Sequence, residues 1–250
     1  MPESIKDYCA QYPRDTVYWC MGNEPVLPMV MNWVKSASKC GIPMLYIALD
    51  LQTYHAMKPV CPTVHIPQSD KHHVFVYKFI VGAEIMRQGK NWFYTDVDCV
   101  AQNNYMNTVE HVFAAGYDQI CQAVKHYKWL GDPHPKHGEY NCGTGMYGMR
   151  ATQTNIDMCD PEKLYNNGYR TDGTCQKHVN TTIKHRADTR IQLLDPKLFP
   201  EGNSFEAADP DWNIFHVTGK YAYEDWDNTK KYLGDSAKID SMKRLGYWYI

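Results

Sequence analysis

The first hundred residues repeat one pattern: a short apolar run, a polar turn, a segment of helical periodicity closed by glycine, and then another apolar run. Asp15 to Cys20 is rich in residues that favour strands, and Met21-Gly22-Asn23 turns the chain into Leu27 to Lys39, whose apolar positions recur at helical spacing. Gly41 supplies the stop, and Ile42 to Leu49 is a second apolar run that ends in Asp50. Two strands joined through a helix lie parallel in one sheet with a right-handed crossover. The pattern returns as a helix over Val74 to Gln88, a stop at Gly89, and an apolar strand over Trp92 to Thr95 that runs into Asp96-Val97-Asp98. The expected fold class is therefore α/β, with a mainly parallel central sheet flanked by helices. Ligands of such sheets gather beyond the carboxyl ends of the strands, where Asn23, Asp50 and Asp96 fall.

Composition narrows the function. With 250 residues the chain can bury the core of one large domain. A net charge of -2 excludes a sequence-independent nucleic-acid binder, which draws its affinity from a basic surface. The nine cysteines contain no C-x-x-C pair and are odd in number, so they spell neither a zinc ribbon nor a disulfide framework. The start lacks the apolar run of a signal peptide and no stretch is long enough to cross a bilayer, so a reducing, cytoplasmic setting without an anchor is expected.

Asp96 and Asp98 carry the chemistry. On an extended chain, carboxylates two residues apart point to one side and can grip one cation. Acid-x-acid pairs also occur at Asp209/Asp211 and Asp225/Asp227, and roughly three are expected by chance in such a composition. Only the first pair follows a strongly apolar strand, at a sheet edge where two neighbouring carboxylates repel unless something positive lies between them. Spacing and context alone leave two readings open, a metal site and a strand-end turn whose aspartates cap backbone amides.

The order of motifs resembles the nucleotide-diphospho-sugar transferase family of GT-A fold, which includes α-xylosyl-, α-galactosyl- and arabinosyltransferases. The residues that carry it are Asn23, Asn32-Trp33, Ala48-Leu49-Asp50, Lys78, Thr95-Asp96-Val97-Asp98, Asn141-Cys142-Gly143-Thr144-Gly145-Met146, Gln176, Asn180 and His216-Val217-Thr218-Gly219-Lys220. The resemblance implies a single glycosyltransferase domain over 1–250, with a nucleotide-binding part at about 14–100 and an acceptor and metal-completing part at about 101–250. It implies that Asp96, Asp98 and His216 hold Mn2+ or Mg2+, and that Gly219 and Lys220 contact the diphosphate of a UDP-sugar. Asn23, Asp50 and Lys78 are expected on the nucleotide side, and Asn141 and Gly143 at the donor sugar. Gln176 is expected near the face of front-side attack in a retaining transfer to a glycan hydroxyl.

One departure stands out: the family's Asp-Gln-x-x-x-Asn reads Cys175-Gln176-Lys177-His178-Val179-Asn180, without its aspartate. Asp172, three residues earlier, is the candidate to replace it; an inverting enzyme would need a base, for which Asp172 and Asp118 are candidates. Three rival functions use the same residues, and one, suggested by Cys175, is a degenerate transferase that binds nucleotide without turnover. A nucleotidyltransferase would also take a metal and a nucleotide, but no Gly-rich phosphate loop stands near the amino terminus. A non-catalytic carbohydrate-binding protein would use the 19 tyrosines and seven tryptophans for stacking, which equally fill cores. His72-His73, and the pair His134 and His137 in the Pro- and Gly-rich loop Gly131 to Glu139, lack ligand spacing and read as solvated. The terminal Tyr247-Trp248-Tyr249 reads as packing.

Overall fold

A computed structural model describes residues 2–69, 74–125, 138–160, 175–180, 186, 188–218, 221, 223–224, 231–232 and 234–250. Helix α1 (Ile5–Gln11) leads into strand β1 (Thr16–Gly22), then α2 (Leu27–Lys39), β2 (Met44–Ala48), α3 (Leu51–Met57) and β3 (Thr63–His65). A short 3-10 turn, Val74–Val76, opens α4 (Tyr77–Arg87), which precedes β4 (Asn91–Thr95), β5 (Cys99–Ala101), α5 (Met106–Ala114) and β6 (Gln119–Lys125). There follow β7 (Tyr140–Met149), α6 (Gln153–Met158), α7 (Cys175–His178), β8 (Ile191–Leu194), β9 (Ile214–His216), the small pair β10 (Tyr223–Glu224) and β11 (Lys231–Tyr232), and α8 (Asp235–Arg244).

The central sheet has seven strands in the order β3-β2-β1-β4-β7-β6-β8. β1 to β4 pair in parallel, β7 is antiparallel to both β4 and β6, and β8 is parallel to β6. The sheet is mainly parallel, as the repeated βαβ pattern implies, with β7 as the one reversed strand. Strands β1, β2 and β4 are buried on both faces, which is why they read as apolar runs. Alternation sends Val17, Trp19 and Met21 to a core shared with α1 and α4, and Tyr18 and Cys20 to a core shared with α2, α5 and α8. Gly41 and Gly89 close their helices at φ of 68° and 75°, the left-handed conformation that favours glycine.

Three local differences have physical reasons. The helix expected from Val74 begins only at Tyr77, because the preceding residues wind as the tighter 3-10 form. Asp96 to Asp98 lie in a turn rather than on an extended chain, since the backbone leaves the large sheet there and enters β5 of a second sheet. Asn141 to Gly145, for which no element was expected, belong to strand β7. The C-terminal aromatics pack as expected: Asn32, fully buried on α2, donates to the Tyr247 carbonyl at 3.0 Å and accepts from the Tyr249 amide at 2.6 Å. Of the loop Gly131 to Glu139, only Gly138 and Glu139 are among the described residues, and both His72-His73 and His134/His137 lie outside them. Among the described residues, no helix is long and apolar enough to cross a membrane.

Gly82 lets α4 lie directly on the strand that feeds the Asp96 turn, because a Cβ there would sit 2.6 Å from the Trp92 ring. Gly82→Ala is expected to cost about 1–3 kcal/mol through overpacking of a filled core, read as a lower midpoint in urea unfolding.

Candidate active site

The turn after β4 is held from three directions. The Asp96 amide donates to the Gly145 carbonyl at 2.7 Å, extending the β4–β7 ladder by one residue. Three residues on, β5 pairs antiparallel with β9, placing Cys99 opposite His216, and the Val217 amide donates to the Asp98 carbonyl at 2.9 Å. The second sheet thus carries a histidine from 118 residues further along the chain to the two aspartates. His216 Nε2 lies 3.2 Å from Asp98 Oδ1 and 3.8 Å from Asp96 Oδ2. Gly145 makes room for the ring: a Cβ at that position would overlap it, 2.4 Å from Nδ1.

Each charge has a partner. Lys78, 1% exposed, reaches from α4 to Asp96 Oδ1 at 2.8 Å and donates to the Thr144 carbonyl at 3.0 Å, while the Tyr94 hydroxyl donates to the same Asp96 oxygen at 2.8 Å. Lys238, from α8, meets Asp98 Oδ2 at 2.7 Å. Burial pushes the Asp98 carboxyl up, but Lys238 and then His216 outweigh it and hold the group well below the usual carboxylate range. Burial likewise works against the charged form of His216, and Asp98 and Asp96 overcome it, so its pKa is raised.

Gln122, buried on β6, sets the tautomer of the imidazole. Its Nε2 faces the carbonyls of Phe199 at 3.5 Å and Pro200 at 3.3 Å, which can only accept, so its Oε1 faces His216 Nδ1 at 3.1 Å. Nδ1 therefore carries the proton and Nε2 is the atom directed at the aspartates, either protonated against them or as the lone pair a metal needs. The ligand atoms of Asp98, Cys99 and His216 lie within 4.8 Å of one another. Burial, then the neighbouring aspartates, keep the Cys99 thiol protonated well past its ordinary range, so the donors on offer are carboxylate oxygens and one imidazole nitrogen. That set, with a ring cradle that only glycine leaves open, fits Mn2+ or Mg2+.

The other predicted residues mostly share this edge. Asn23 follows β1 and caps no amide with its side chain. Asp50 follows β2, accepting from the Thr53 and Glu24 amides at 2.7 Å each, so it caps α3 and ties two edge loops together. β7 begins beyond the end of β4, which puts Asn141 and Gly143 at the same edge; Gly143 is required there because a Cβ would lie 2.6 Å from Val124. Gln176 is half-buried on α7, which is anchored to β7 twice: Asn180 bonds both the amide and the carbonyl of Cys142, at 2.9 and 2.7 Å, and Cys175 Sγ meets Thr144 Oγ1 at 2.9 Å. Asp118 is not at this edge. It precedes β6, at the amino ends of the parallel strands, bound by Arg150 at 2.7 Å and the Arg190 amide at 2.9 Å. Asp172, Gly219 and Lys220 lie outside the described residues. Gln122 and Lys238 had no local sequence signal; only pairing across the sheets reveals them.

Two outcomes follow from the packing. Gly145→Ala is expected to expel the His216 ring, and NMR titration of the metal-free protein should show that pKa falling back toward 6.5, its ordinary value. His178, buried on α7 against Phe79, has its pKa pulled by burial from 6.5 to about 4. Its contribution is full above the unfolded value and is lost as pH falls toward the folded one, because only the unfolded chain takes up the proton in that window. Urea unfolding should therefore lose about 3 kcal/mol between pH 7 and pH 4 relative to His178→Phe.

Comparison with known proteins places this arrangement. Among curated proteins compared by sequence, none matches the chain. Three solved structures are similar in fold. One is a glycosyltransferase involved in the glycosylation of the major capsid of PBCV-1, at 10% identity and a TM-score of 0.55, covering 92% of this chain and 100% of that one. The glycosyltransferase GlyE of Streptococcus pneumoniae TIGR4 gives 9% and 0.57 over 95% of this chain and 65% of its own. Mouse xyloside xylosyltransferase 1 in its apo form gives 10% and 0.51 over 81% and 97%. The description of the nucleotide-diphospho-sugar transferase family matches residues 43–231, a span that contains the Asp96–Asp98 turn, the β7 edge and His216. The chain belongs to the nucleotide-diphospho-sugar transferase family and is a glycosyltransferase of GT-A fold.

Proposed function

We propose that this glycosyltransferase is metal-dependent and moves a hexose or pentose from a UDP-sugar to a hydroxyl of a glycan acceptor, with retention at the anomeric carbon. The observation that carries the metal reading is the convergence of Asp96, Asp98 and His216, with Gln122 fixing the imidazole so that Nε2 faces both carboxylates. Asp96, Asp98 and His216 would hold Mn2+ or Mg2+. When bound, the ion neutralises charge that develops on the departing diphosphate.

The chain's own groups do the rest. Asn23 and Asp50 take the nucleoside side, at the ends of β1 and β2. Gly219 and Lys220, which follow β9 within four residues of His216, take the diphosphate, where glycine permits close backbone approach and lysine adds a point charge. Lys78, expected on the nucleotide side, acts instead through Asp96: its ammonium is buried between that carboxylate and the Thr144 carbonyl, so it orients and neutralises Asp96. Asn141 and Gly143 meet the donor sugar, and Gln176 lies by the face on which the acceptor hydroxyl attacks. In a front-side transfer that hydroxyl forms the new glycosidic bond as the anomeric carbon–phosphate bond breaks, and its proton passes to the departing phosphate oxygen. Cys175 stands where the family pattern has an aspartate, so a sulfur bonded to Thr144 replaces a carboxyl beside the sugar, a change suited to altered sugar preference. Asp172 remains the candidate to supply that carboxylate. None of the nine cysteines is joined in a disulfide, which supports a cytoplasmic setting.

Calorimetric titration with UDP tests this without knowledge of sugar or acceptor. UDP is expected to bind with Mn2+, and binding is expected to vanish with EDTA and in Asp98→Asn. Metal-independent UDP binding that Asp98→Asn leaves intact would remove these residues from the metal site, and binding of CTP or CMP in preference to UDP would favour the nucleotidyltransferase reading.

A further inference from the structure

Among the buried side-chain oxygens and nitrogens of the described residues that lack a hydrogen-bond partner, one belongs to a carboxylate: Oε1 of Glu201, a residue only 2% exposed. Asn203 hydrogen-bonds the carboxyl from its backbone and its side chain, and the charges of His216 and Lys125 act on it from further off, yet Oε1 receives no hydrogen bond from any of them. The main chain gives it no outlet, because Ser204 Oγ accepts from the Glu201 amide and donates to the Glu201 carbonyl, both at 3.1 Å. A buried carboxylate oxygen left open in this way costs stability. Its place in the fold is specific. Glu201 bridges in parallel to His216, which lies opposite Cys99, so the three side chains share one face of the small sheet. The Pro200 carbonyl, one residue earlier, accepts from the His216 amide at 3.0 Å and faces Gln122 on β6 at 3.3 Å. Strand β6 runs in the direction of β4, since β7 is antiparallel to both, so Lys125 at its end stands at the ligand edge. Along the order β1-β4-β7-β6 that edge carries Asn23, then the two aspartates, then His216 over Gly145, and then Glu201 beside β6.

Resting on the glycan-acceptor reading above, we propose that Glu201 forms an acceptor subsite, its open carboxylate oxygen taking a hydrogen bond from a hydroxyl of the sugar that receives the transferred residue. A nucleotide sugar places its parts in a line. With the nucleoside at the ends of β1 and β2 and the diphosphate at the Asp96–Asp98 turn, the sugar and whatever receives it extend toward β7 and β6, where Glu201 stands. A hydroxyl is the group that completes a lone carboxylate oxygen without bringing a charge of its own, through a short charge-assisted bond. A buried acceptor of this kind also discriminates, because a sugar that lacks the matching hydroxyl leaves the carboxylate unsatisfied. Glu201 is joined to His216 through backbone pairing and not through its carboxyl, so changing the carboxyl leaves the metal ligands in place.

The probes are the methyl glycosides of galactose, glucose, mannose and xylose, each titrated into the full chain with UDP and Mg2+ present and followed by saturation transfer from protein to sugar protons. At least one is expected to bind the wild type, and Glu201→Gln is expected to weaken it by about 10- to 100-fold while UDP affinity stays the same. Deoxy forms of the bound glycoside then identify the bond: removal of one particular hydroxyl weakens binding to the wild type and not to Glu201→Gln, since the two changes delete opposite ends of one contact. Urea unfolding separates this role from a structural one. Removing charge from an unpaired buried carboxylate raises the midpoint, whereas losing a structural acceptor lowers it. Equal glycoside affinity in Glu201→Gln and wild type, a penalty for every deoxy form that persists in the variant, or a lowered midpoint overturns the proposal. Should Glu201→Gln fail to fold, Glu201→Asp, which withdraws the carboxylate by one methylene, is expected to show the same loss of glycoside, and unchanged affinity there overturns the proposal. UDP binding with no glycoside bound by the wild type overturns it together with the glycan-acceptor reading and leaves the donor site standing.

Discussion

Two carboxylates sit at the end of β4, Asp98 buried and Asp96 half-buried, and the surrounding elements are arranged to answer that charge. An ionised carboxylate withdrawn from solvent costs several kcal/mol unless it is paired and hydrogen-bonded. Asp98 is 6% exposed and remains ionised because Lys238 and His216 face it from different elements. Asp96 is met by Lys78 and by the Tyr94 hydroxyl. Five parts of the chain (α4, β4, β7, β9 and α8) are thereby committed to one small volume, and a shift in any of them exposes an unpaired charge. The same demand for positive charge is what makes the place suitable for a divalent ion.

The sheet topology makes this possible. Parallel strands β1, β2 and β4 deliver their ends to one edge, and the reversed strand β7 starts beyond that edge, so its first residues wall the site rather than the core. The small β5–β9 sheet then folds a distant histidine back across the turn. Glycine is used where backbones and rings must nearly touch: Gly145 under His216, and Gly143 against Val124. Asn180 joins α7 to β7 through both backbone groups of Cys142, which carries Gln176 to the same edge without any contact to the aspartates being needed.

Much of the fold was legible in the sequence because its signals are local. Leu27–Lys39 is the helix its spacing implies, and the apolar runs of β1, β2 and β4 fall within two residues of where they were expected, since burial on both faces leaves no polar alternation to confuse them. Asp96 and Asp98 were singled out by the strand before them. Their convergence came about by another route than the one spacing implied: the pair lies in a turn, and what brings the two carboxylates together is a shared partner, His216, rather than the alternation of an extended chain. Asp118 was placed at the opposite edge, because the direction of β6 depends on a reversed neighbour that no local pattern announces.

The sequence by itself determined the α/β layering, the family, and the place of Asp96 and Asp98 at the end of a buried strand, for these follow from period, glycine stops and the order of motifs along the chain. Only the tertiary structure decided which cations stand on which carboxylate. Gln122, Lys78 and Lys238 reach the site from strands and helices that are separated from it by up to 140 positions, and the choice between pairing and exposure for a lysine or a glutamine depends on neighbours that only folding supplies. A buried charge must find its partner in space, and space is what the linear order of residues leaves open.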